Sequence, residues 1–253
     1  KIMSFSGKVA VITGAAQGMG AAYARLLSQR DVAVVVADIN LELAESVAAS
    51  ITATGGKAVA VKVDVGSPES CKECIAAAVK AFGQLNFLVN NAGLLSAALM
   101  PPLQDLSVDD YQRVMSVNMH SVLYMTQAAV PEMRKQGGGA IVNTSSIGSW
   151  QATGIYSVSK AGVNTLSVNL AHSLAADNIR VNAIAPGTVD TEGMKPIMSV
   201  EQMAQWAKMS GQATGQVAGP ELIAQVGVFL LSDEAAFVNG QVFPVDGGTV
   251  IRI

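Results

Sequence analysis

Cysteine is scarce: two in 253 residues. A disulfide scaffold is therefore excluded, and a reducing compartment is expected. Histidine is as rare, also two, and no cluster of His, Cys and acids has metal-ligand spacing, so no metal is expected. Only 14% of residues are charged and the net charge is −3. No basic block exists, which argues against a nucleic-acid partner. Long hydrophobic runs are missing too. The run VAVVVA at 32–37 is strand-sized and far short of a bilayer span. No charged-then-apolar leader opens the sequence, and a cytoplasmic protein without a membrane partner is the expectation. The two cysteines fall in CKEC at 71–74. A redox pair belongs at a helix start after a strand; this pair reads better as two positions on an amphipathic helix. His120 and His172 read as structural.

What the chain has in quantity is apolar residues, 50% of the total, enough for a large core. They come in short runs rich in β-branched residues: 8–13, 32–38, 58–64, 86–91, 139–145, 179–185 and 241–246. Continuous apolar strands are covered on both faces. Helical patterns separate them, at 18–29, 41–54, 67–82, 107–135, 154–176 and 219–231. Ser107 with Asp110 looks like a capping box opening the fourth. Alternation of this kind predicts an α/β fold, a seven-stranded parallel sheet flanked by helices. No linker or repeat interrupts it, so residues 1–253 read as one domain. Residues 193–212 hold four of the eleven Met and one of the two Trp. An apolar insertion there predicts a substrate lid over about 190–215.

The strand at 8–13 runs into TGAAQGMG and then into a helix. Glycines at 14, 18 and 20 allow a tight turn whose backbone N–H groups approach a pyrophosphate, and the helix N-terminus favours the same anion. Gln17 and Met19 lie within that turn. The whole is a Rossmann-type, doubly wound pattern. Asp38 ends the second strand, followed by Ile39. A carboxylate there can accept both adenosine ribose hydroxyls and repels a 2′-phosphate. No Arg or Lys lies at 15–19 or just after Asp38 to offset it, so NAD is expected over NADP. Asp64 can accept from the adenine amine and Val65 can pack on the ring. In NNAG, Asn91, Ala92 and Gly93 let backbone lie against the cofactor. A methyltransferase shares the glycine loop and the acid, but has no need of YSVSK at 156–160. Tyr156 and Lys160 are four apart, on one helix face. A phenol beside an ammonium is a candidate proton-transfer device: the cation favours the phenolate.

Taken in order, TGAAQGMG, Asp64, NNAG, Asn118 in SVNMHS, Ser145-Ser146, YSVSK and PGTVDT resemble the short-chain dehydrogenase/reductase family over almost the whole chain. The resemblance implies Tyr156 as acid/base and Ser146, the second serine, as the group holding the substrate oxygen. The Ser-to-Tyr loop is about three residues shorter than is common in that family, so Ser145 stays an alternative. The resemblance further implies Lys160 as tuner of Tyr156 and holder of the nicotinamide ribose, and Asn118 as holder of a water leading from Lys160 to solvent. Pro186 and Gly187 would form a turn under the nicotinamide, with Val189 and Thr191 clamping its carboxamide.

The implied activity is hydride transfer between NAD(H) and a secondary alcohol or ketone. Leu94–Met100, Trp150, Ile155 and the Met-rich lid suggest an apolar or cyclic substrate. A 3-oxoacyl thioester is the alternative, and a non-catalytic nucleotide-binding protein a more distant one. The resemblance implies a homotetramer built on the helices at 107–135 and 154–176 and the last strand.

Overall fold

The β-branched runs form seven strands in the computed structural model, which describes residues 5–95 and 101–250. They are β1 (Val9–Thr13), β2 (Ala33–Asp38), β3 (Ala58–Lys62), β4 (Phe87–Asn90), β5 (Gly139–Thr144), β6 (Ile179–Pro186) and β7 (Val242–Val245). All pair in parallel, in the order β3-β2-β1-β4-β5-β6-β7. The sequence order reverses between β1 and β4, and ligands of open α/β sheets bind outside the carboxyl ends of the strands at such a switch.

Among the described residues eight α-helices connect the strands: α1 (Gly18–Ser28), α2 (Leu41–Ala53), α3 (Pro68–Phe82), α4 (Val108–Met115), α5 (Ser121–Lys135), α6 (Ile155–Ser173), α7 (Val200–Met209) and α8 (Pro220–Leu231). Alternate strand residues face opposite layers. Ile12, Val34, Val36, Val89 and Val142 meet α1, α2 and α8, while Val11, Val35, Leu88, Ile141 and Val181 meet α3, α5 and the end of α6. Each such side chain contributes about 1.5–3 kcal/mol by leaving water. Burial on both faces is why these strands read as continuous apolar runs.

Two expectations need revision. The helix at 107–135 is three segments: α4, a π-turn at Ser116–His120, and α5. The extra residue of the π-turn displaces Asn118 from ordinary helical register, a device frequent at functional sites. Ser107 does cap α4, its Oγ accepting from the Asp110 N–H at 3.0 Å. The segment at 190–215 contains a true helix, α7, opened by a reciprocal capping box between Ser199 and Gln202. The cysteines lie on the inner face of α3, buried and without a disulfide. Burial pushes the Cys71 thiol up to about 11 and the Cys74 thiol up to about 12, the reverse of a redox pair.

Candidate active site

The glycine turn is shaped for a ligand that lies against backbone. Gly14 sits at φ +62°, and a Cβ on it would come 2.8 Å from the Ala92 Cα; one on Gly20 would come 2.1 Å from the Gly14 carbonyl oxygen. Both contacts forbid any side chain. Asn91 braces the turn from β4, its Nδ2 donating to the Thr13 and Gly14 carbonyls at 3.0 and 3.1 Å. Asp38 braces it from β2, Oδ2 accepting from the Ala16 N–H at 3.0 Å. Helix α1 starts at Gly18 with no side-chain cap from Gln17, so its first-turn N–H groups face outward for an acceptor.

A cavity of about 380 Å³ opens there. Gly14, Gln17, Gly18, Met19, Asp38, Ile39, Asp64, Val65, Asn91, Ala92, Gly93 and Thr191 line it. Gly20 lies beneath the turn and makes room for it. Asp64 Oδ1 accepts from the Gly66 N–H at 2.9 Å, which orients the carboxylate at the cavity rim.

A second cavity of about 350 Å³ adjoins the first and shares Met19, Asn91, Gly93, Leu94 and Thr191 with it. Its wall includes Ser146, Tyr156 and Lys160, with Pro186, Gly187 and Val189 on another side. Gly187 donates to the Val245 carbonyl at 3.1 Å, fastening the turn after β6 to β7. The Ser146 side chain shares this cavity with the Tyr156 phenol, whose ionisation it favours, and accepts from the Gly148 N–H at 3.0 Å. Ser145 also borders this cavity, but it is buried and its hydroxyl donates to the Lys160 carbonyl at 3.2 Å. The two serines differ in their partners: the Ser145 hydroxyl is engaged by the Lys160 carbonyl, and the Ser146 hydroxyl acts on the Tyr156 phenol.

Lys160 is 3% exposed. Its Nζ donates to the Thr144 carbonyl at 2.8 Å and stands 5.8 Å from the centre of the Tyr156 ring. Burial lowers the ammonium to about 8, so it remains mostly protonated at neutral pH. The cation favours the phenolate, but without a cofactor's positive ring beside it the phenol is not acidified. Burial raises Tyr156 above its ordinary value, and the opposing Ser146 hydrogen bond is the smaller effect. The ammonium sits over the ring at the edge of cation–π range, and desolvation of the phenolate wins.

Asn118 is 1% exposed. Its Oδ1 accepts from the Leu94 N–H at 2.6 Å, and its Nδ2 donates to the Leu94 carbonyl at 3.0 Å and to Ser159 Oγ at 3.2 Å. Its amide therefore clamps the backbone just after Gly93. A Cβ on Gly93 would lie 3.4 Å from Lys160 Nζ and 3.5 Å from Asn118 Oδ1, so these groups meet at one point.

The apolar wall is Leu94, Ile147, Met194, Ile197, Met198 and Trp206, with Gln151 and Thr153 as polar neighbours. Ile155 is not part of it: it packs beneath α4 with Val114 and Met115. Trp150 closes a short 3₁₀ turn beside the wall without lining it. Residues 96–100 of the expected loop lie outside the described residues. His120 and His172 are exposed and line neither cavity.

Sequence reasoning missed one polar residue. Glu192 Oε2 accepts from the Gly18 N–H at 3.1 Å, across 174 residues of chain. Its position directly after PGTVDT was the only signal.

A family model described as enoyl-(acyl carrier protein) reductase matches residues 14–250. A putative short-chain alcohol dehydrogenase from Sinorhizobium meliloti 1021 superposes with TM-score 0.91 at 33% identity, over 100% of both chains. The chain belongs to the short-chain dehydrogenase/reductase family. A family member of solved structure, a 7α-hydroxysteroid dehydrogenase complexed with NADH and 7-oxo glycochenodeoxycholic acid, matches with TM-score 0.91 and 33% identity, over 98% of this chain and 96% of that one. A cyclohexanol dehydrogenase of Acinetobacter sp. is 42% identical over 98% of this chain and 97% of its own. A 3-oxoacyl-[acyl-carrier-protein] reductase of Thermotoga maritima is 38% identical over 98% and 100%. The family assignment makes the chain an oxidoreductase.

Proposed function

We propose that the protein is an NAD(H)-dependent dehydrogenase that interconverts an apolar or cyclic secondary alcohol and its ketone. The observation that carries this reading is that Ser146, Tyr156 and buried Lys160 line one cavity continuous with the glycine turn. The residues present fit a dinucleotide: a backbone cradle at Gly14 and Gly20, outward N–H groups on α1, and acids at the ends of β2 and β3. The nicotinamide, when bound, supplies the hydride acceptor or donor.

Ser146 Oγ and the Tyr156 hydroxyl converge on one point, where they hold the substrate oxygen. Tyr156 takes the hydroxyl proton during oxidation and returns it to the carbonyl oxygen during reduction. Ser146 donates to the oxygen as charge develops on it. Lys160 keeps a positive charge behind the ring and can donate to ribose hydroxyls. Asn118 holds the Gly93–Leu94 backbone in place, and a water beside it would link Lys160 to solvent. Pro186, Gly187, Val189 and Thr191 orient the carboxamide, which fixes the ring face turned to substrate.

Preference for NAD rests on Asp38. Its carboxylate faces the cavity with exposed Ile39 beside it, and a 2′-phosphate would meet an unneutralised negative charge. Residues 190–215 act as the lid, with Met194, Ile197, Met198 and Trp206 as its inner surface. The apolar wall supports the alicyclic substrate, as does the 42% identical cyclohexanol dehydrogenase. The 38% identical acyl-carrier-protein reductase supports a second reading, reduction of 3-oxoacyl thioesters. Against it stands the lack of a basic patch for an acidic carrier: Lys195 is the one cation in the lid's first turn. Exposed Val158 and Val168 on α6, and Leu222 and Phe229 on α8, suit burial in a homotetramer, and buried free thiols suit the cytoplasm. Light scattering tests the oligomer.

The deciding experiment incubates the protein with cyclohexanol and with a 3-oxoacyl thioester, each with NAD(H) or NADP(H), and follows absorbance of the reduced nicotinamide. Turnover of cyclohexanol with NAD+ supports the proposal. Thioester turnover alone transfers it to the second reading, and binding of dinucleotide without turnover of any alcohol overturns both.

A further inference from the structure

The donor amide at the head of α1 already has an anion on it, and that anion belongs to the chain. Glu192 Oε2 accepts from the Gly18 N–H at 3.1 Å. Gly18 is the first residue of α1, and the N-cap residue Gln17 offers it no side-chain acceptor. The residue before Glu192 closes over the same spot: a Cβ on Gly18 would come 3.3 Å from Thr191 Cβ and 3.9 Å from Glu192 Oε2. Gly18 and Thr191 both line the 380 Å³ cavity. The contact thus joins the glycine turn directly to the segment that follows β6.

We infer that Glu192 is a built-in competitor for the cofactor's pyrophosphate, a latch that the cofactor displaces as it binds. The inference rests on the dinucleotide reading above. A carboxylate and a phosphate oxygen seek the same donor for the same reason, since both are anions at a helix N-terminus. One N–H cannot serve both fully, and two anions held side by side repel. Glu192 is solvent-exposed, so its release costs little and the carboxylate is rehydrated at once.

Displacement has a second consequence. The Met194 and Lys195 N–H groups both donate to the Thr191 carbonyl, at 2.9 and 3.3 Å, and Ile197 and Met198 bond back to Met194. This short coil carries Met194, Ile197 and Met198 into the substrate cavity. Its first residues are Thr191 and Glu192. Releasing Glu192 therefore frees the anchored end of the coil that forms the apolar wall. The dinucleotide and the substrate wall are linked through one side chain.

The test measures binding of NAD+ and of ADP-ribose, which carries the pyrophosphate without the nicotinamide, by calorimetry and stopped-flow fluorescence. Four proteins are compared: the parent chain, Glu192→Gln, Glu192→Ala, and Glu201→Gln. The last removes one negative charge from the same segment, at a residue whose carboxylate bonds Ser199. Both Glu192 variants are expected to bind ADP-ribose about threefold tighter or better, as befits loss of a charge at a helix N-terminus, with the gain in the association rate. Glu201→Gln is expected to match the parent. Unchanged or weaker binding by the Glu192 variants overturns the latch. Equal gains in Glu192→Gln and Glu201→Gln also overturn it, because they show a diffuse field rather than a contact. Failure of all four proteins to bind either ligand defeats the dinucleotide reading along with the latch, a result distinct from equal binding by all four.

Discussion

Two tyrosines of this molecule are raised by desolvation, Tyr23 fully buried and Tyr156 half-buried, and only one has been given company. Tyr23 lies on the inner face of α1, fully enclosed, against α8 at Gly227, where a Cβ would strike its hydroxyl. Its oxygen has no hydrogen-bond partner, and burial drives its ionisation far above the ordinary range. Tyr156 is also pushed up by burial, but Ser146 pulls the other way and Lys160 stands over its ring. The comparison teaches that enclosure alone makes a phenol a worse acid. What distinguishes the candidate acid/base is the set of partners that burial brings to it.

The contrast can be broken in order of consequence. Tyr156→Phe should lower turnover by about 10³-fold or more while leaving the dissociation constant for NAD+ within about twofold; calorimetry and steady-state rates read the two separately. More than a few per cent residual activity would remove Tyr156 from the role given to it. Ser146→Ala should cost about 10²-fold in turnover, whereas Ser145→Ala should act through stability rather than rate, because its hydroxyl is spent on the Lys160 carbonyl.

Lys160 sharpens the comparison through pH. Its folded value, about 8, lies below its ordinary 10.5. Between those values the unfolded chain binds more protons than the folded one, so stability contributed by this residue rises with pH, by about 1 kcal/mol per pH unit. The raised Cys71 and Cys74 thiols lower stability over the same range, so the Lys160 contribution is read as a difference: in urea titrations the stability of the parent chain relative to Lys160→Met should rise between pH 8 and 9.5. Tyr156, whose folded value is raised, would oppose the trend only at higher pH. The smallest effect belongs to Tyr23. Tyr23→Phe removes an unpaired buried hydroxyl, so activity should not change and stability should stay level or rise by about 1 kcal/mol. A loss of turnover in Tyr23→Phe would mean that the two phenols are not as different as their surroundings.

Legibility in the sequence followed the range of the interactions. Strands β1 to β7 were readable because burial on both faces leaves uninterrupted β-branched runs, and α1 because a glycine turn precedes it. The pairing of Tyr156 with Lys160 was readable because four residues along a helix is one turn. What could not be read was set by contacts between distant segments. The π-turn at Ser116–His120 exists where Asn118 meets Leu94 and Ser159, and nothing in SVNMHS announces it. The direction of the Tyr156 shift depends on how completely the site is enclosed, which no spacing encodes. Glu192 on Gly18 joins residues from opposite ends of the chain.

The end of β5 and the two residues after it do one further thing. The Thr144 carbonyl accepts from the Lys160 ammonium, Ser145 donates to the Lys160 carbonyl, and Ser146 shares a cavity wall with the Tyr156 phenol. Three successive residues thereby hold α6 to the end of the sheet. Sliding α6 along β5 would undo every stitch together, so the alignment of the reacting groups is as durable as the seam itself. Heat should extinguish turnover and cooperative structure at one temperature, with no inactive but folded form between them.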